Sequence, residues 1–61
     1  MNKHLETLKE MLKYKWTVRE MVKSSKGNKG HAELLLRYGF EDNLTLQIEA
    51  LTYAIEVING T

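Results

Sequence analysis

The sequence contains no cysteine and no proline, and only four glycines, five aromatic residues and two histidines among 61 positions. Without cysteine, disulfides and thiolate metal sites are excluded as staples. His4 and His31 lack a second ligand at helical spacing, so neither a metal nor another cofactor is expected. The absence of proline, with 43% hydrophobic and 28% charged residues, fits a folded helical chain rather than a disordered one. No apolar run approaches the roughly 18 residues of a membrane span, and the opening MNKHLETLKEM is too polar for a secretory signal. The expectation is a cytoplasmic protein that does not enter a membrane. A domain this short buries only about 60% of the surface its unfolded chain exposes, and with other staples excluded the common remaining support is oligomerisation.

The charges are present in both signs but are segregated. Residues 1–30 carry eight Lys or Arg against three Glu, net +5, and residues 31–61 carry one Arg against five acidic residues, net −4. Two halves of opposite sign are suited to packing antiparallel, with their rims attracting.

One domain, residues 1–61, is expected, all-α, as a hairpin of two long helices with a short helix between them. Over about 3–23 the residues are good helix formers, and Leu5, Leu8, Leu12 and Trp16 recur at spacings of three and four. Met11, Tyr14, Val18, Met21 and Val22 make a second stripe beside the first, interrupted by Lys15 and Arg19. The stretch 24–30, with Gly27 and Gly30 among Ser, Asn and Lys, reads as the turn that ends this helix. A short helix is expected over about 31–38. Gly39 falls where a left-handed cap belongs, and Phe40 is placed to fold back onto Leu35 or Leu36. Asp42 or Asn43 can then cap a third helix over about 43–59.

That third helix is the most informative segment. Leu44, Ile48, Leu51, Ile55 and Ile58 recur at heptad spacing in one seam, and Leu46, Ala50, Tyr53 and Val57 form a second apolar row. The remaining polar strip is narrow: Thr45, Glu49, Thr52, Glu56 and Asn59. One chain of this size is hard pressed to cover both rows. A homodimer is therefore expected, with the seam Leu44, Ile48, Leu51, Ile55 and Ile58 as its core and four long helices in the bundle.

Three groups of residues invite a functional reading. Lys23, Lys26 and Lys29, with glycines and loop amides, are candidates for contact with an anion or a nucleic acid, although no phosphate-loop spacing is present and a solvated turn uses the same residue types. Reading of DNA by the third helix is disfavoured, because the helix has no Lys or Arg and carries Glu49 and Glu56. Lys15, Trp16 and Arg19 are candidates for partner binding, since Trp and Arg are enriched in binding hot spots; the plainer alternative makes Trp16 core, with the stems of Lys15 and Arg19 over its edge. His31, Glu33, Arg37, Tyr38, Glu41 and Asp42 supply acid and base types but no nucleophile set, and no catalytic residue is assigned. The expectation is a protein that is not an enzyme.

LTLQIEALTYAIEVING, Leu44 to Gly60, resembles the closing helix of small helical accessory proteins of Gram-positive bacteriophages and prophages. The resemblance implies a context in which short proteins bind one host protein and block or redirect it. It transfers no functional residue. The function expected is a dimeric binder or inhibitor that occludes a surface of another protein. Two alternatives stand beside it: a nucleic-acid accessory protein using the Lys-rich first helix and the 23–30 loop, and a purely structural oligomerisation piece.

Overall fold

The computed structural model describes residues 2–60, and these form three helices: α1 Lys3–Ser24, α2 His31–Tyr38 and α3 Glu41–Gly60. The fold is all-α. α2 and α3 together make one long bent arm, interrupted at Gly39 and Phe40, and this arm returns along α1 as a helical hairpin. The longest dimension is 45 Å, against 17 and 15 Å across. A 22-residue helix accounts for about 33 Å of that length, and the turn and α2 extend the molecule beyond one end of the paired helices.

Each helix boundary has a local cause. The Asn2 side chain accepts from the backbone N–H groups of His4 and Leu5 at 3.0 and 3.1 Å, which satisfies two of the free amides that open α1. At the other end Ser25 shares its N–H between the Met21 and Val22 carbonyls, and its hydroxyl donates to the Val22 carbonyl at 2.8 Å. Gly27 then takes φ +85°, which only glycine adopts freely, and the Asn28 N–H donates back to the Ser25 carbonyl at 2.9 Å. The chain is thereby reversed within six residues.

The corner between α2 and α3 differs from the left-handed cap that the sequence suggests. Gly39 does have positive φ, and its N–H closes α2 on the Leu35 carbonyl at 2.9 Å. However, φ +99° with ψ 175° lies outside the left-handed helical region, in one that glycine alone occupies. Only Phe40 then separates Gly39 from the next helix. The Phe40 carbonyl accepts from the Leu44 N–H at 3.0 Å, so α3 opens at Glu41, and Asp42 and Asn43 lie in its first turn instead of capping it. Phe40 borders a shallow depression together with Leu35 and leaves Leu36 uncovered. It is 62% exposed, and Leu36 is 90% exposed.

The core is small and lies where three helices meet. Val18 and Val22 of α1 and Leu44 of α3 form its centre, flanked by Leu34, Leu35 and Tyr38 of α2. Val22 and Leu44 are fully buried. Ile48 and Ile55 continue the buried line along α3, with Leu51 and Ile58 partly covered, while α1 presents the partly covered Leu5, Leu8 and Leu12. The seam that the sequence assigns to a dimer core is therefore occupied by α1 of the same chain. The second stripe of α1 also divides: Val18 and Val22 enter the core, and Met11, Tyr14 and Met21 stay outside. Among the described residues no helix is long and apolar enough to cross a membrane.

Candidate protein-interaction surface

With Leu44, Ile48 and Ile55 turned toward α1, the helical repeat of about 100° per residue places Leu46, Ala50, Tyr53 and Val57 on the opposite, outward side of α3. The exposures agree: Leu46 62%, Tyr53 70% and Val57 47%. A water-facing helix side ordinarily carries polar residues, and this one carries Leu, Ala, Tyr and Val in consecutive turns. Its borders are unequal. Asp42, Glu49 and Glu56 follow one edge, and Asn43, Gln47 and Ala54 follow the other, as the same repeat requires. Thr45 and Thr52 return their hydroxyls to the Glu41 and Ile48 carbonyls at 3.0 and 2.8 Å, so both are satisfied within α3.

The trio Lys15, Trp16 and Arg19 is split by the fold. Trp16 is not core: it is 44% exposed. Arg19 lies on the inner side, partly buried, with its guanidinium carbon 4.7 Å from the centroid of the Trp16 ring. That is cation–π range. Its Nε is buried without a hydrogen-bond partner, and the guanidinium stacks on the indole. Lys15 turns to another aromatic, with Nζ 6.0 Å from the Tyr14 ring centroid. Trp16 borders a shallow depression shared with Thr17, Glu20, Met21 and Ser24 on the outer side of α1.

The basic loop is tied to the fold. The Lys26 ammonium donates to Glu41 Oε2 at 2.9 Å, joining the turn to the first residue of α3. The hydrogen bond, reinforced by the charge of Glu41, raises the Lys26 pKa above its ordinary value. The same bond holds the Glu41 carboxyl below its ordinary value; partial burial opposes this, and the charges of Lys26, Lys23 and Arg19 assist it. Lys23 and Lys29 are exposed on either side. His31 opens α2. It is partly buried, with Nδ1 2.7 Å from Ser25 Oγ. A hydroxyl has one proton to give, and with the Val22 carbonyl taking it, the Nδ1–H of His31 is the donor to Oγ.

The acid and base types of the second half are used in separate structural contacts. Glu33 meets Arg37 one turn away at 3.5 Å, Glu41 meets Lys26, His31 meets Ser25, and Tyr38 packs against the core. Among the described residues no three His, Asp or Glu side chains converge on a metal position. The sequence shows the outer row of α3 and sets Arg19 against Trp16, but it does not show the stacking on the ring face or the Ser25–His31 contact. The i, i+3 spacing of Trp16 and Arg19 was a usable signal for the stack, whereas Ser25 and His31 meet only through the shape of the turn. No protein-family model matches the sequence, and no curated protein or solved structure matches it either.

Proposed function

We propose that this chain is a small protein–protein interaction module whose principal contact face is the outer row of α3. One observation carries the reading: Leu46, Tyr53 and Val57 are 62, 70 and 47% exposed in a chain whose other apolar row is already spent on its own core. A contiguous apolar strip left in water marks an interaction site, and an apolar helix face framed by polar residues is a standard mode of protein recognition. The Trp16–Arg19 stack supports a second contact on α1. There the module covers a surface of another protein and acts by steric occlusion, without chemistry of its own. In the bacteriophage context that the α3 sequence implies, that protein belongs to the host.

Replacing Tyr53 by a photo-crosslinking phenylalanine analogue, in cells or extract, tests the reading. Covalent adducts that form at position 53 and disappear in a L46E/V57E background, with helicity unchanged by circular dichroism, are expected. Identical adduct patterns with and without the two glutamates would remove the outer row as a contact face.

The Lys-rich loop does not favour the nucleic-acid alternative, since one of its three candidate lysines, Lys26, is already paired within the chain.

A further inference from the structure

We infer that the occupant of the outer row of α3 is α3 of a second copy of this chain, running antiparallel to the first. This rests on the proposed role of that row and adds the identity and the sense of its partner. The row reads large, small, large, medium along the helix: Leu46, Ala50, Tyr53, Val57. Set against its own reverse, it puts Tyr53 on Ala50 of the second copy and Leu46 on Val57, so every layer pairs a larger side chain with a smaller one. A close-packed interface requires such pairing. Set parallel and in register, the same row puts Ala50 on Ala50 beside Tyr53 on Tyr53, a hollow layer next to a crowded one.

Charge pulls the other way and is weaker. A two-fold axis across antiparallel helices brings like edges together, so Glu49 of each copy nears Glu56 of the other, whereas a parallel pair sets the acidic edge on the neutral one. Exposed like-charge contacts of this kind are small and are screened by salt, while a mispacked layer is not. Packing therefore decides the sense, and charge leaves a signature: the dimer tightens as salt is added.

Size fits a reversible pair. The folded chain exposes 4786 Å², and a standard interface takes roughly 800 Å² from each partner. The apolar row from Leu46 to Val57 covers only about 16 Å of helix, so a contact one helix wide takes well under that area, and association is expected to be weak and concentration-dependent. The second copy also meets a need visible in the fold, whose apolar core comprises, among the described residues, five buried side chains: Val18, Val22, Leu44, Ile48 and Ile55. With α3 against α3, each α1 lies on the far side, and Trp16 remains open to a different protein.

The absence of native cysteine makes thiol crosslinking a clean test. Chains carrying L46C and chains carrying V57C are mixed and treated with a short bifunctional thiol reagent, and each is also treated alone. Antiparallel pairing predicts a product in the mixture and none from L46C alone, because those positions then lie about 16 Å apart along the axis. Two such contacts relieved by salt make the association constant roughly two- to fivefold larger between low and high salt. A strong 46–46 product would overturn the antiparallel sense. No crosslink together with a mass of one chain at every concentration overturns the second copy itself. If position 53 still captures a different protein in extract, the interaction face stands and only this inference fails.

Discussion

Gly39 sets the direction in which α3 leaves α2, and the cost of replacing it can be stated. At φ +99° and ψ 175° an L side chain is strained, and no atom lies within 4 Å of where its Cβ would sit, so the penalty belongs to the backbone alone. Gly39→Ala is expected to cost about 1–3 kcal/mol in urea unfolding. Leu44→Ala, at the fully buried centre of the core, is expected to cost about 2–5 kcal/mol. At about 0.05–0.15 kcal/mol per residue, 61 residues hold roughly 3–9 kcal/mol in all, so that single change removes much of the fold. Leu36→Ala, at 90% exposure, is expected to stay within about 0.5 kcal/mol of the parent. Both residues are leucines in helical segments, and only the packing of α1 against α3 tells them apart.

Between elements, the Lys26–Glu41 pair ties the turn after α1 to the start of α3. Glu41 has a lowered pKa in the folded chain, so its contribution is present above the ordinary carboxylate pKa and is lost as pH falls through the lowered one. Lys26 has a raised pKa, so its contribution is present below the ordinary lysine pKa and is lost as pH rises through the raised one. Stability compared between parent and Glu41→Gln should therefore differ near neutral pH and converge at acid pH. A difference that persists in strong acid would show that the pair is not its cause. The helices themselves were legible from spacing, because three- and four-residue recurrence of Leu and Ile admits little else. The corner was not. Whether a glycine closes a helix in the left-handed region or carries the chain onward depends on where the next helix packs, and Leu44 sets that by entering the core beside Val18 and Val22. The length of α3 was underestimated for the same reason.

For the whole molecule, the sequence shows two apolar rows on α3 and a chain hard pressed to cover both, and it assigns the heptad seam to a dimer core, whereas α1 of the same chain covers that seam. The heptad seam is the better-formed row, and α1 of the same chain takes it first, because an intramolecular partner needs no second molecule to be ordered. The weaker row, interrupted by Ala50, stays exposed. Trp16, at core spacing, is 44% exposed, so the alternative that made it core falls and the indole stays open as a partner-binding role requires, with Arg19 on the inner side stacking its guanidinium on the ring. Trp16→Ala should leave unfolding changed only modestly while removing capture at the α1 contact, measured with a crosslinker at Glu20. The most direct measurement is the solution mass by sedimentation equilibrium across a wide concentration range, for the parent and L46E/V57E side by side. The parent is expected to rise from 7.1 kDa toward twice that value while the double variant stays at one chain. A parent that remains at 7.1 kDa throughout, or a double variant that associates equally well, contradicts assembly through the outer face of α3.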